Sequence, residues 1–418
     1  MAFDTNPAAW INAKRLRAHA TILGVCLWSV FVWNLATPSL RDRAGHLKGT
    51  DFLHFYILGS IALTHEGMDL YDMKAQAALA AERVPEATGI QYLPLYPPQV
   101  SILFAPLAHL PYGFALTVWW LLTSAIYGIC CYSVWTACPH LRSRGGTVAI
   151  ISFACPAFFH LIAWGQTSAL ALACFTLMFF LLRDKRDFLA GLVMGCLIFK
   201  PQLGVAAAVV LIAIGAWRTL IAAALSASFE LATGVLYYGW EPLCRWFGVL
   251  WNVRAQLSAF EPRLYQTHAL RTFWSMLLPW PDLALAAFVF SGFVVLGLTI
   301  AVWRHRQAHF ALRYSSLLLA TVLDSPHLTV YDLVVLAPAI LLLADWIAGQ
   351  QPCRSNGFLA ILLYAIYALP LVGPLALWTH VQLSVVAMVA VVFLIWRTSA
   401  RSLPAENKIE EKQIPATT

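Results

Sequence analysis

Leu283-Ala284-Leu285-Ala286-Ala287-Phe288-Val289-Phe290-Ser291-Gly292-Phe293-Val294-Val295-Leu296-Gly297-Leu298-Thr299-Ile300-Ala301-Val302-Trp303 carries no charged residue, with Asp282 before it and Arg304 after it. A helix needs roughly 20 apolar residues to cross the hydrocarbon of a bilayer, and this stretch is long enough. Apolar runs recur near 19–36, 114–136, 147–163, 167–182, 188–200, 202–216, 219–239, 313–325, 330–346, 357–372 and 375–396. Hydrophobic residues make up 60% of the chain and charged residues 11%, whereas a soluble domain carries about 25% charge. Lipid must therefore be the solvent. The runs are continuous rather than alternating, so the backbone groups are satisfied within helices and not in a barrel. The expected fold is an all-α polytopic membrane protein with about twelve transmembrane helices, several of them short.

One membrane-embedded domain is expected over 1–400, followed by a polar, charged tail at 401–418 that reads as cytoplasmic and disordered. Lys14, Arg15 and Arg17 precede the first apolar run. That run reads as a retained helix with its N-terminus inside, not as a cleaved signal. Counting crossings from there places Arg142, Arg144, Arg183, Lys185, Arg186, Arg218, Arg304, Arg306, Arg313, Arg354, Arg397 and Arg401 on the cytoplasmic side. The count requires 98–110 to lie flat or re-enter. Two large outer loops follow, at about 37–113 and 240–282. The formal charge of +7 resides mainly in the short connections, so it reports topology and not nucleic-acid binding. The nine cysteines show neither C-x-x-C nor Cys/His ligand spacing. They read as reduced thiols, and no metal or cofactor is expected.

Polar residues at odds with their apolar surroundings gather on the outer side. Asp51 stands in Asp51-Phe52-Leu53-His54-Phe55-Tyr56. An acid at the mouth of a transmembrane bundle is costly unless it has a partner or a task. Capping a helix and serving as a base both remain open for it. The stretches 52–63 and 74–83 read as amphipathic juxtamembrane helices in the first outer loop. Lys200 lies in Phe199-Lys200-Pro201-Gln202, where a proline-broken helix with a lysine and a glutamine makes an anion pocket; a lysine snorkelling to headgroups is the plainer reading. Gln166 follows Gly165 at a helix start, where free N–H groups favour anions, or it is simply a cap. His327 follows Ser325-Pro326 and precedes Tyr331 and Asp332; single interfacial histidines are more often structural. Arg254 and Arg263 in the second outer loop suit either a phosphate or lipid headgroups. There is no nucleophile elbow, Walker loop or dinucleotide fingerprint. A carboxylate base beside cations at a membrane suits group transfer from a lipid-linked phosphate. Broken helices with polar groups also suit a transporter or flippase of a lipid-linked or polar solute.

Asp51-Phe52-x-x-Phe55-Tyr56, Gly67-x-Asp69-x-Tyr71-Asp72, Tyr96-Pro97-Pro98 and Phe104-Ala105-Pro106-Leu107-Ala108-x-Leu110-Pro111 occur in that order. Gly165-Gln166, Lys200-Pro201-Gln202 and Ser325-Pro326-His327 follow. Together these pieces, from about Asp51 to Asp332, resemble glycosyltransferase family 87 of the GT-C class. The resemblance implies a GT-C-like bundle and an inverting, metal-independent transfer of a hexose, with mannose expected. The implied donor is a polyprenyl-phosphate sugar and the acceptor a lipid or glycan hydroxyl. The site would face the periplasmic or extracellular side of the inner (plasma) membrane. Asp51 matches the family's general base. Lys200, His327 and Gln166 match positions that engage the donor, and Tyr56, Gln202, Arg254 and Arg263 complete the expected substrate contacts. Leu53 and His54 stand where small aliphatic residues are commoner, and His65-Glu66 precedes the glycine of the second motif.

Overall fold

The structure, a computed structural model, describes residues 11–260, 263–351 and 353–401; the side chains of 253–260 and 401 lie outside that description, as does the expected disordered tail from 402 onward. Asn12 accepts from the Arg15 N–H at 3.0 Å and starts α1 (Ala13–Leu35). The first loop holds α2 (Thr50–Thr64), α3 (Met73–Arg83) and α4 (Gln99–Ala108). After α5 (Tyr112–Thr136) come α6 (Gly145–Phe153) and α7 (Pro156–Trp164), where the chain bends by 46°. Pro156, which cannot donate to a preceding turn, begins the second arm.

Next come α8 (Ser168–Arg183), α9 (Asp187–Gly195) and α10 (Val205–Ala213). They are followed by α11 (Trp217–Tyr238), α12 (Glu241–Phe260), α13 (Leu270–Leu277), α14 (Pro281–Arg304) and α15 (Phe310–Leu323). The chain closes with α16 (Ala337–Ala348), α17 (Arg354–Ala368), α18 (Ala376–Thr379) and α19 (Leu383–Arg401).

Among the described residues, seven helices are long and apolar enough to cross a membrane, or eight if the bent pair is one span. The protein is therefore a multi-pass membrane protein. The expected runs at 167–182, 188–200, 202–216 and 313–325 are shorter helices, too short to count as spans by themselves. α15 is buried along nearly its whole length, and α8 buries Ala171, Leu172, Phe175 and Met178 completely. The run expected at 375–396 is interrupted. His380 adopts a left-handed φ of 55° after α18, and α19 begins only at Leu383. α4, with 10 residues, spans about 15 Å, too short to cross by itself.

α2 corrects the expectation of a helix lying in the interface. Residues 52–62 are all buried, because α4 covers one side and α5 and α7 the others. A Cβ on Gly59 would stand 2.5 Å from the Phe104 carbonyl oxygen, so glycine is what lets α2 and α4 touch. α9 and α11 meet the same way: a Cβ on Gly191 would fall 2.1 Å from the Thr219 carbonyl oxygen. Small residues at such contacts are how membrane helices gain packing without a hydrophobic drive between them. α3 does lie at the surface, capped by Asp72, whose carboxylate accepts from the N–H groups of Lys74 (2.8 Å) and Ala75 (3.2 Å).

Candidate active site

Asp51 sits in the first turn of α2 but does not cap it. The cap position is Gly49, with a left-handed φ of 63° and no side-chain hydrogen bond. The start of α2 is held from outside instead. The Tyr112 hydroxyl donates to the carbonyls of Lys48 (2.8 Å) and Gly49 (2.9 Å), and the Tyr92 hydroxyl donates to that of Thr50. The carboxylate is thus freed for another role, at a helix N-terminus that favours negative charge.

Gln166 reaches Asp51 across 115 residues of sequence, its Nε2 donating to Oδ2 at 2.6 Å. Gly165 makes this contact possible. It ends α7 with φ of 73°, and a Cβ there would lie 2.6 Å from that of Phe52. The Trp119 indole N–H fixes the Gly165 carbonyl at 2.9 Å. Any other residue would carry strain from the left-handed backbone and push α2 away from the turn.

Lys200 lies between two 3-10 turns, Cys196–Phe199 and Pro201–Leu203. A residue before proline is biased away from the helical region, and Lys200 leaves it, with φ of −135° and ψ of 68°. The break read from the sequence is present, but the lysine does not snorkel, and its charge is matched from within the bundle. Its Nζ is buried, 2.7 Å from Asp332 Oδ1 and 3.0 Å from Ser168 Oγ, and 5.2 Å from the centre of the Tyr331 ring. Ser168 also donates to Asp332 Oδ1 at 2.5 Å, and the other oxygen accepts from the N–H (3.2 Å) and hydroxyl (3.3 Å) of Thr329. Asp332 is thereby fully paired and locks α8, the break at Lys200 and the 327–332 segment together.

Two cavities meet at Asp51. The smaller, about 160 Å³, is lined by Asp51, His54, Tyr92, Tyr96, Gln166, Lys200, Gln202, His327 and Asp332, among others. The larger, about 560 Å³, has an apolar wall of Val30, Phe31, Leu35, Phe159 and Trp164. Its polar side carries His46, Lys48, Arg263, Gln266 and His327. Asp51, His327 and Tyr331 border both. Burial raises the Asp51 pKa from 3.8 to about 6; the Gln166 hydrogen bond and then the positive charge of Lys200 hold it back.

Of the residues expected at a site, the fold gathers Asp51, Gln166, Lys200, Gln202 and His327 around the small cavity and puts Arg263 on the large one. Tyr56 does not line either cavity: it is buried, its hydroxyl donates to the Leu110 carbonyl at 2.9 Å, and it accepts from Arg83 at 3.1 Å. Tyr56 faces away because five residues of helix turn it about 140° from Asp51, onto the side of α2 that packs on Tyr112. The Arg254 side chain lies outside the described residues. No site role was read from the sequence for Asp332, Ser168 or His54. An acid inside the apolar run Val330-Tyr331-Asp332-Leu333-Val334 was signal enough for the first. His54 is 4% exposed, and neither ring nitrogen has a hydrogen-bond partner among the described residues. Burial lowers its pKa from 6.5 to about 3, so it lines the cavity as a neutral imidazole.

The chain is thus a multi-pass helical protein with a half-buried carboxylate between two cavities. The family model of glycosyltransferase family 87 matches residues 95–326, more than half of the chain. The chain belongs to that family and is a glycosyltransferase. The matched segment contains Gln166, Ser168 and Lys200, while Asp51 precedes it and His327 and Asp332 follow it. No curated protein and no solved structure matches the chain.

Proposed function

We propose that this glycosyltransferase moves a hexose, mannose in the first instance, from a polyprenyl-phosphate donor to a hydroxyl of a lipid or glycan acceptor. The reaction takes place on the non-cytoplasmic face of the plasma membrane. The observation that carries this reading is the position of Asp51, a carboxylate held by Gln166 where an apolar-walled cavity meets a small polar one. The polyprenyl chain lies along Val30, Phe31, Leu35 and Phe159, and its phosphate faces Arg263 and His327. Asp51 takes the proton of the acceptor hydroxyl. The hydroxyl oxygen bonds to the sugar C1, and the C1–O bond breaks with its electrons going to the phosphate. His327 stabilises the charge that develops on the leaving polyprenyl phosphate, while Arg263 holds the phosphate equally in the ground state and the transition state. Attack from the opposite face turns a β-linked donor into an α product. Lys200 acts from behind, neutralising Asp332 and favouring the ionised form of Asp51.

Detergent-solubilised protein, mixed with radiolabelled polyprenyl-phosphate mannose and a lipid acceptor, is expected to form labelled product with no sealed vesicle present. A nucleotide sugar serving as the only effective donor would refute the proposal. So would a cysteine-accessibility map that puts position 51 in the cytosol.

The pH dependence follows from Asp51. The base must be ionised, so kcat/KM rises with pH through about 6 and then levels off. Gln166→Leu removes a donor that favours the ionised form, so the acid limb moves to higher pH. An unmoved limb in this variant would dissociate Gln166 from the base. Since its folded pKa lies above the ordinary carboxylate value, Asp51 contributes stability at acid pH that is lost as pH rises through about 6.

Two substitutions separate donor recognition from chemistry. Arg263→Gln removes a charge-assisted contact to the phosphate and raises the donor KM by about 10-fold or more with little change in kcat. His54→Phe keeps the ring but removes the donor and acceptor offered to a sugar hydroxyl. It lowers kcat/KM by about 5- to 100-fold. Steady-state kinetics on both variants checks this, and wild-type values for either would remove that residue from the site.

A further inference from the structure

α8, α10 and α15, together with α9 and its 3-10 extension, each run from the neighbourhood of Asp51 to a second cluster at the other end of the bundle. Ser168 opens α8 beside Asp332, and Arg183 closes it, about 22 Å away along the helix. There a cavity of about 720 Å³ is bounded by Arg183, Lys185, Arg218, Arg304, Arg306 and Arg313, with Asp187 as its one lining acid.

We propose that this cavity binds the phosphate headgroup of an anionic phospholipid of the opposite leaflet. Arg183 is paired with Asp184 at 3.1 Å, and Arg304 donates to the Ala213 carbonyl at 3.0 Å. Among the described residues, Lys185, Arg218, Arg306 and Arg313 form no salt bridge. Arg313 lies 4.8 Å over the Trp303 ring, and its Nε is buried without a hydrogen-bond partner; so is the Trp303 indole N–H. Like charges gathered in a concave site, with buried donors left over, fit an anion that accepts several hydrogen bonds at once. The rim favours a lipid over a free ion. Leu182, Leu211 and Ile214 line the cavity, and Trp217, 60% exposed, stands at its edge, where an acyl chain lies and an interfacial tryptophan is at home. By the positive-inside rule this end faces the cytoplasm, whose leaflet is anionic, and basic pockets between helices there suit phosphate headgroups. The site is separate from the one at Asp51 and does not depend on the proposed reaction.

Native mass spectrometry of the delipidated full-length protein in detergent tests this. Phosphatidylglycerol is expected to bind at least about 10-fold more tightly than phosphatidylcholine. Arg218→Gln/Arg306→Gln is expected to lose about 10-fold or more of that affinity, and Arg142→Gln, at a basic connection outside the cavity, to lose none. Lysine at 218 and 306 restores part of the affinity if charge is what matters, which also guards against misfolding of the glutamine variant. Equal binding of phosphatidylglycerol by wild type and Arg218→Gln/Arg306→Gln would overturn the proposal. Displacement of the lipid by inorganic phosphate at the same concentration would overturn it too, as the mark of a soluble-anion site.

Discussion

Asp51→Asn lowers the rate of sugar transfer by about 100- to 10,000-fold, the usual contribution of a positioned base, and leaves the protein folded. The amide has the shape of the carboxylate, and its oxygen still accepts from Gln166, which now lies 2.6 Å from Asp51 Oδ2. The turn at Gly165 and the start of α2 therefore stay in place. The substitution also removes a charge whose burial is unfavourable, as the raised pKa of Asp51 shows, so thermal stability is equal or higher. The amide cannot take the acceptor proton, and the acid limb of the pH profile disappears with the activity. Transfer from polyprenyl-phosphate mannose and thermal unfolding in the same detergent measure both halves. The sample is checked by mass spectrometry for reversion by deamidation. An undeamidated variant that turns over at the wild-type rate would sink the assignment of the base.

Lys200→Met is expected to destabilise the fold by about 3–5 kcal/mol, the cost of leaving one member of a buried ion pair without its partner. The Asp332 carboxylate would keep only Ser168 and Thr329. Lys200→Met/Asp332→Leu recovers much of the loss, because removing both charges leaves nothing buried and unpaired. Unfolding curves of wild type, both single variants and the double variant give the coupling directly. If the double variant is no more stable than Lys200→Met, the pair is not the lock it is argued to be. Activity gives a second reading. The recovered double variant regains stability without regaining full activity, since Asp51 has lost the Lys200 charge that favours its ionised form, a loss that removing the opposing Asp332 charge only partly offsets.

This second case marks where reading the sequence alone reaches its limit. The proline after Lys200 announced the break, because proline biases the residue before it away from helix, although α4 runs through Pro106 unbroken. What the lysine meets at the break depends on a partner 132 residues away. A phosphate pocket was the chemical guess, and the fold supplies Asp332 instead. Tyr56 fails similarly, since six residues of helix decide which side chains share a face, but only packing decides which face meets the cavity. α2 was expected at the interface because polar His54 and Ser60 interrupt an apolar run. Inside the bundle, Ser60 donates back to the Tyr56 carbonyl at 2.9 Å, and His54 turns its unpartnered ring nitrogens to the cavity.

By itself the sequence determined the solvent, the helical class, the break at Lys200-Pro201 and the carboxylate worth watching. Each of these follows from local chemistry: apolar length against bilayer thickness, missing N–H groups, and the cost of a charge in hydrocarbon. Only the tertiary structure decided that Gln166 holds Asp51, that Lys200 belongs to Asp332 and that α2 is core. Those are contacts between segments far apart in the chain, chosen by shape and by the cost of leaving a buried charge or polar group unpaired.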